Sequence, residues 1–193
     1  MSGVKSVLSV IFLFLVLAAS GEEKTAKTEE AVEAEKTIQE RAEAGDADAQ
    51  LQLGHLYESG EGVPKDFTEA AKWYRKAAEQ GNAEAQLYLG CLYSIGRGVP
   101  KDFAEHLKWI RKAAQQGFAD AQVQLGLLYE IGQGVPKDFA AAYMWFSLAA
   151  AGGNKEYGEL RGLLEKRMTR EQLVKSQKLT GEWLERKAKE KGE

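Results

Sequence analysis

An eight-residue segment recurs three times in the chain at a fixed interval. It has the pattern Gly-x-Gly-Val-Pro-Lys-Asp-Phe, begins at residues 60, 96 and 132, and contains all three prolines of the protein. The interval of 36 residues is too long for a coiled-coil heptad and is typical of helix-pair solenoids. The pattern therefore predicts an all-α chain whose helices lie on either side of a repeated turn.

Each repeat is predicted to contain two helices, and the repeats span residues 45–80, 81–116 and 117–152. The first helix, helix A, keeps the same six residues in every repeat. In the first repeat these are Ala49, Gln50, Leu53, Gly54, Leu56 and Tyr57. The second, helix B, keeps an apolar stripe that includes Phe67 and Trp73. Because a glycine inside a helix costs about 1 kcal/mol relative to alanine, its retention in helix A predicts the close approach of another helix.

Short polar side chains mark the predicted helix starts. The expected N-caps are Asp46 and Asn82 for helix A, and Asp66, Asp102 and Asp138 for helix B. Phe118 replaces the cap of helix A in the third repeat. Glu69 and Glu105 lie three residues after their aspartates, which predicts a capping box in the first two repeats. The glycines, the proline and the capping aspartate together indicate a turn between helices, and the aspartate would repel a bound phosphate.

The first 20 residues have the composition of a secretory signal peptide. Lys5 provides the positive charge, an apolar run extends from Val7 to Leu17, and small residues lead to a predicted cleavage site after Ser20. The apolar run is shorter than the roughly 20 residues that a membrane helix requires. We therefore favour cleavage over an uncleaved anchor and expect an exported protein, periplasmic or secreted, without stable membrane insertion.

The segments that flank the repeats are predicted to cap the solenoid. Residues 21–44 form a charged linker and an N-terminal capping helix, and residues 153–193 form C-terminal capping helices. In helix B of the third repeat, basic positions become Met144, Ser147 and Leu148, so a face that is basic in the first two repeats needs a cover.

We expect that cover from a short helix at residues 154–167 and a longer one at residues 170–189. The short helix has the position of a decayed fourth helix A, since Gly162 follows Gly126 by 36 residues. The longer one begins at a capping box formed by Thr169 and Gln172. Its apolar side chains are Leu173, Leu179, Trp183 and Leu184.

The repeated residues resemble those of the Sel1-like repeat family, relatives of the tetratricopeptide repeats. The resemblance covers residues 45–152 and rests on G-[DN]-x-x-A-Q-x-x-L-G-x-L-Y, G-x-G-V-P-K-D-F and W-x-x-x-A-A. It implies a right-handed α-solenoid of antiparallel helix pairs that acts as an adaptor for other proteins and has no catalytic residues. Some secreted members carry a disulfide in each repeat, whereas this chain has only Cys91, so activities suggested for that branch are not carried over.

Few residues remain as candidates for chemistry. The tryptophans at 73, 109 and 145 lie among small residues at helical spacing, which favours a core role over a ligand-stacking platform. His55 and Cys91 share one repeat position, but a metal site needs further ligands. We expect Cys91 to be a half-buried apolar side chain, with an intermolecular or redox role as the alternative. The sequence lacks the usual catalytic motifs, so we predict no enzyme activity, no cofactor and no metal.

Comparison of the repeats with one another predicts where a partner binds. Residues that are identical in all repeats build the scaffold, whereas one stripe of helix A, at spacings of three and four, differs between repeats. In helix-pair solenoids this helix lines the concave surface. The predicted partner-binding residues are Gln52, His55, Glu84, Tyr88, Cys91, Gln124, Leu127 and Ile131. The alternative for positions 55, 91 and 127 is that they fill the gap between neighbouring repeats.

The stripe is acidic along one edge and becomes more apolar toward the third repeat. It suits a helix or an extended peptide with apolar anchors and basic flanks, and Tyr88 is the expected main anchor because tyrosine is enriched at binding hot spots. We therefore predict a monomeric, non-catalytic adaptor for a protein or peptide. The net charge of −3 gives no reason to expect nucleic acid.

Two other functions remain open. One is a structural or assembly component of a cell-envelope complex, bound through the basic outer face of helix B. That face consists of Lys72, Arg75, Lys76, Lys108, Arg111 and Lys112. The other, the weakest, is a hydrolase of cell-wall material, for which the sequence offers no nucleophile, base or metal set.

Overall fold

The computed structural model describes residues 37–192, so the predicted signal peptide, the linker and the start of the N-terminal cap lie outside the described residues. Within this range the chain forms nine helices and no β-strand, which confirms the all-α class. The first, α1, covers residues 37–43. The others are α2 (Ala47–Ser59), α3 (Phe67–Glu79), α4 (Ala83–Ile95), α5 (Phe103–Gln115), α6 (Ala119–Ile131), α7 (Phe139–Ala150), α8 (Lys155–Glu165) and α9 (Arg170–Lys191).

Helices α2, α4 and α6 are the helices A of the three repeats, and α3, α5 and α7 are the helices B. Each helix A packs against its own helix B, and each helix B packs against the next helix in the chain. Buried side chains therefore form clusters that join neighbouring repeats. Tyr74 of α3 packs with Leu89 of α4, and Ile110 of α5 packs with Leu125 of α6. This succession of helix pairs is an α-solenoid.

The glycine retained in helix A lies where helix B comes closest. A Cβ added at Gly54 would lie 2.5 Å from the ring of Tyr74, and one added at Gly126 would lie 2.6 Å from the ring of Phe146. Both distances are well below the optimal separation of about 3.5–4.0 Å between carbon atoms. The predicted close approach of the helices is therefore confirmed. The three repeated tryptophans are also buried, as expected for core residues.

The retained glutamine of helix A ties consecutive helices together. Gln50, Gln86 and Gln122 are buried, and each donates a hydrogen bond to a carbonyl oxygen at the end of the preceding helix, over 3.0 to 3.2 Å. Gln86 also accepts a hydrogen bond of 2.9 Å from Gln116, at the end of α5. The carbonyls of Ala42, Ala78 and Ala114 already accept from the N–H of the glycine three residues later, so each glutamine adds a second donor and ties helix A to the preceding helix. The sequence pattern did not assign this role.

The repeated turn links helix A to helix B through its first glycine and its aspartate. Gly60 ends α2 with a φ of 81°, a left-handed conformation that glycine adopts at little steric cost. The Asp66 carboxylate accepts from the backbone N–H groups of Thr68 and Glu69, at 2.8 and 3.2 Å. All the predicted aspartate and asparagine caps are present, and Phe118 provides none, as predicted.

The predicted capping boxes at Glu69 and Glu105 are wrong. In a capping box the glutamate would accept from the N–H of Asp66, but that N–H donates to the carbonyl oxygen of Tyr57 at 2.9 Å. The Glu69 carboxylate pairs instead with Lys72 at 2.5 Å. The second repeat shows the same arrangement. The turn places a carbonyl near the end of helix A within hydrogen-bond distance of the aspartate N–H, so this N–H is not available to the glutamate.

The C-terminal helices α8 and α9 pack against α7 of the third repeat. Helix α8 takes the place of a fourth helix A, and α9 begins at the capping box of Thr169 and Gln172. Trp183 of α9 meets Trp145 of α7 with ring centroids 6.2 Å apart. Leu184, which was expected to pack, is 52 % exposed, because the next residue after a buried one points about 100° away around a helix.

Candidate functional site

The predicted partner-binding residues lie on one surface, which we call the helix-A face. It consists of four positions of α2, occupied by Asp48, Gln52, His55 and Ser59, and their counterparts at intervals of 36 residues. Helix α8 continues these positions, and Leu163 follows Leu127 in this series. Among the predicted residues, Gln52, Leu127 and Ile131 are exposed, and His55, Glu84, Tyr88, Cys91 and Gln124 are half-buried.

A hydrogen-bonded aromatic cluster lies where the first two repeats meet on this face. The Tyr74 hydroxyl donates to a carboxylate oxygen of Glu58 at 2.6 Å and lies 2.9 Å from Nδ1 of His55. The rings of Tyr88 and Tyr74 stack with centroids 5.4 Å apart. The ring of His55 stands nearly perpendicular to that of Tyr88, with centroids 4.5 Å apart. The cluster therefore links α2, α3 and α4.

Sequence reasoning missed both Tyr74 and Glu58. Tyr74 is a helix B residue and is fully buried, so it belongs to neither the stripe nor the surface. The sequence did contain one indication of this role. The first repeat has a tyrosine, with its polar hydroxyl, at the position where the other repeats have the apolar residues Ile110 and Phe146. Burial raises the pKa of Tyr74, and the hydrogen bond to Glu58 raises it further. The phenol therefore stays protonated and continues to hold the Glu58 carboxylate.

Tyr88 lies in negatively charged surroundings. Burial raises the pKa of its phenol, and the charges of Glu84, Glu58 and Asp120 raise it further. These carboxylates come from three different helices, α4, α2 and α6. The face is therefore acidic around the residue that was predicted to be its main anchor.

Cys91 bridges neighbouring helices A. Its sulfur lies 3.5 Å from Nε2 of Gln124 on α6, and burial raises the pKa of the thiol. The side chain is half-buried and packs against the apolar cluster between the second and third repeats, as predicted. Leu127, at the same position one repeat later, is 40 % exposed instead.

Toward the third repeat the helix-A face exposes large apolar side chains. Ile95, Leu127 and Ile131 are 56, 40 and 60 % exposed, and Leu163 of α8 is 59 % exposed. Among the described residues, only two other large apolar side chains are comparably exposed, and both lie on α9. The exposed apolar side chains of this face therefore lie on the successive helices α4, α6 and α8.

The basic outer face of α3 and α5 is largely engaged in contacts within the chain. Lys76 lies 3.6 Å from the ring centroid of Trp73, and Lys112 lies 4.4 Å from that of Trp109. Lys72 and Lys108 pair with glutamates three residues earlier, and Arg75 donates to the hydroxyl of Tyr93. Of the six basic residues, only Arg111 makes no such contact with another described residue. The face borders a shallow groove of about 480 Å³ beside Trp73.

The second histidine of the chain, His106, has a structural role. His106 is buried in α5, and its Nδ1 donates to the carbonyl oxygen of Gly90 at 2.9 Å. Across residues 37–192, no group of three or more His, Cys, Asp or Glu side chains is placed to hold a metal ion. None of the helices in that range combines the length and apolar character needed to cross a membrane.

Comparison with known proteins identifies the repeats. The family model of the Sel1 repeat matches residues 47–82, 83–118 and 119–154. The chain is similar to a Sel1 repeat protein from Oxalobacter formigenes, with 39% identity and a TM-score of 0.64, over 68% of this chain and 54% of that one. It is also similar to c5321, a protective antigen present in uropathogenic Escherichia coli strains that displays an SLR fold. That match has 33% identity and a TM-score of 0.59, over 79% of this chain and 40% of the antigen.

The chain thus spans about half the length of the first of these proteins and less of the second. A search of curated proteins found no significant match. Proteins built from Sel1 repeats generally act as scaffolds for protein interactions. Because the family model matches three consecutive repeats and the solved relatives share the fold, the chain belongs to the Sel1 repeat family.

Proposed function

We propose that this protein is an exported, non-catalytic adaptor that binds a segment of another protein on its helix-A face. The observation that carries the proposal is the line of exposed apolar side chains formed by Ile95, Leu127, Ile131 and Leu163. Contiguous exposed apolar surface on a soluble protein is typical of interaction sites. The scaffold role that is general in this family supports the same function.

The contrast between buried and outward positions of helix A supports the choice of this face. Buried positions hold the same alanine, glutamine, leucine and glycine in all three repeats, and each has a packing or hydrogen-bonding role. Outward positions change from Gln52 to Tyr88 to Gln124 and from His55 to Cys91 to Leu127. Since the fold leaves these positions free to differ, they can be adapted to a partner. The partner-binding set includes these residues together with Glu84 and Ile131.

Export rests on the N-terminal sequence. In this proposal residues 1–20 are removed, 21–44 form the linker and N-terminal cap, 45–152 hold the repeats and 153–193 form the C-terminal cap. Protein recovered from the periplasm or the medium is expected to begin at Gly21. Recovery of the full N-terminus in the membrane fraction would support the anchored alternative instead.

A matched pair of substitutions tests the binding face. Ile131 and Val174 are 60 and 59 % exposed, but only Ile131 lies on the helix-A face. After chemical crosslinking in the native envelope, affinity isolation of Ile131→Asp is expected to lose the partner proteins that the wild type and Val174→Asp retain. Thermal unfolding of all three proteins controls for folding. If Ile131→Asp captures the same partners as Val174→Asp, the helix-A face is not the binding site.

The second candidate function is assembly into an envelope complex through the basic outer face. The observation that favours it is the groove beside Trp73, which is bordered by Lys72, Arg75 and Lys76. Arg111→Glu reverses a charge on this face without breaking a contact seen among the described residues, so it is the cleanest test. Loss of the captured partners in Arg111→Glu, with Ile131→Asp unaffected, would favour this function over the adaptor proposal.

A further inference from the structure

The helices A of the three repeats carry negative charge without positive charge. Helices α2, α4 and α6 contain no lysine or arginine. Their five carboxylates belong to Asp48, Glu58, Glu84, Asp120 and Glu130. Within the described residues, only Glu130 forms an ion pair, with Arg167. Six of the ten basic residues of the same repeats lie on α3 and α5 and the other four lie in the turns, so none lies on a helix A.

Three of these carboxylates lie near Tyr88. Glu84 precedes Tyr88 by one helical turn on α4, and its carboxylate makes no hydrogen bond or ion pair to any described residue. Glu58 is held in place by the hydroxyl of the buried Tyr74. Asp120 of the next repeat adds negative charge that raises the pKa of Tyr88, and its carboxylate accepts a hydrogen bond from the hydroxyl of Tyr157 on α8. Tyr88 therefore offers a half-buried aromatic ring among carboxylates from three helices.

His55 adds a hydrogen-bond acceptor to this region. The Tyr74 hydroxyl has a single proton, which it donates to the Glu58 carboxylate. The short contact between the Tyr74 oxygen and Nδ1 of His55 must then be a bond that His55 donates. In neutral imidazole this leaves Nε2 as an acceptor. The cluster thus favours donors and positive charge in whatever binds beside it.

We infer that the segment bound on the helix-A face is basic where it crosses the second repeat and apolar where it crosses the third. A lysine or arginine side chain of the partner lies over the ring of Tyr88, within reach of Glu58 and Glu84. Cation–π attraction and charge-assisted hydrogen bonds stabilise this arrangement. Aliphatic side chains of the partner contact Leu127 and Ile131. The inference rests on the proposed function and adds the chemistry and the direction of the bound segment.

Peptide selection tests this inference with the full chain. Random peptides displayed on phage are selected for binding to the purified protein, and those that also bind Ile131→Asp are discarded as ligands of other surfaces. Enriched peptides are expected to share a lysine or arginine near aliphatic residues. Glu84→Gln should weaken an enriched peptide about fivefold, whereas Glu79→Gln, a change at an exposed glutamate on α3, should have no effect.

The ionic origin of the effect is checked with the peptide itself. Replacing its basic residue by glutamine should weaken binding to the wild type by at least this factor. It should weaken binding to Glu84→Gln by a smaller factor, because the contact with Glu84 is already absent there and only those with Tyr88 and Glu58 are lost. Higher salt should also weaken the wild-type complex.

The outcomes separate this inference from the proposed function. Enriched peptides that bind the helix-A face without a basic residue, or that bind Glu84→Gln as tightly as the wild type, would overturn the inference and leave the adaptor proposal standing. If selection yields no peptide whose binding depends on Ile131, both are contradicted.

Discussion

The third repeat presents apolar side chains on two outward surfaces, and the described chain covers only one of them. On α7, Met144 and Leu148 replace the lysines of the first two repeats, and Trp183 of α9 belongs to the same buried cluster. On α6, Leu127 and Ile131 remain 40 and 60 % exposed. The apolar face of helix B is thus part of the fold, whereas that of helix A is available to a partner.

A gain in protein stability accounts for the apolar side chains on the helix B surface but not for those on the helix-A face. Burial of apolar side chains contributes about 25 cal/mol per Å² removed from water, so the change from lysine to Met144 and Leu148 stabilises the fold once α9 covers them. The change from Ser59 in the first repeat to Ile95 and Ile131 in the others gains little from burial, since both isoleucines stay exposed. A binding role is the explanation we propose for the second change.

The largest predicted effect tests the covered surface. Trp183→Ala should lower the free energy of unfolding by about 3–5 kcal/mol, the usual cost of removing a buried tryptophan side chain. Its neighbour provides the control, because Leu184 is 52 % exposed and Leu184→Ala should change stability by less than about 0.5 kcal/mol. Chemical denaturation of both variants measures the difference. Equal effects would mean that α9 does not cover the third repeat through Trp183.

A second prediction tests whether α9 packs against α7 or against α8. Gly126 and Gly162 occupy the same repeat position, but a Cβ would meet the ring of Phe146 at Gly126 and nothing within 4 Å at Gly162. Gly126→Ala should therefore destabilise the protein by about 1–3 kcal/mol through overpacking. Gly162→Ala should stabilise it by up to about 1 kcal/mol through helix propensity.

Thermal or chemical unfolding of the two glycine variants decides this point. Opposite signs are expected because α9 crosses over to α7 and does not pair with α8 as a fourth helix B would. A destabilising effect at Gly162 similar to that at Gly126 would contradict this placement.

Features fixed by neighbouring residues could be predicted from the sequence. The N-caps, the turn glycines and the capping box at Thr169 each depend on a few adjacent positions, and all were found. The buried tryptophans and the cover of the third repeat also followed from the 36-residue comparison. Helical periodicity and repetition were sufficient in these cases.

Features that depend on how helices meet could not be predicted. Glu69 does not form a capping box because the N–H of Asp66 donates to the carbonyl oxygen of Tyr57, and the hydrogen bond from Gln116 to Gln86 joins residues 30 positions apart in sequence. Tyr74 lies buried on helix B, and its hydroxyl holds the carboxylate of Glu58 on helix A. Leu184 is exposed because Trp183 takes the buried position beside it.

The smallest predicted effect concerns a position where the second repeat differs from the others. Burial lowers the pKa of His106, although its hydrogen bond to Gly90 acts in the opposite direction. The unfolded chain then binds more protons just below pH ~6.5, the ordinary pKa of histidine. The free energy of unfolding should therefore have its full value above this pH and decrease as the pH falls below it.

The variant His106→Ala gives the second repeat the same residue that the first and third repeats have at this position, Ala70 and Ala142. The difference in unfolding free energy between the wild type and this variant should therefore become less favourable to the wild type below pH ~6.5. Denaturation curves from pH 5 to 8 measure it. A difference that does not change with pH would contradict the account of a buried neutral histidine.

Site-specific photocrosslinking in living cells tests the central comparison most directly. A photoreactive amino acid is placed at position 131 on the helix-A face, at position 174 on α9 and at position 111 on the basic outer face. The account predicts a discrete protein adduct from position 131 and none from the other two. An adduct from position 111 or 174, with none from position 131, would show that the exposed apolar side chains of helix A are not the surface that binds the partner.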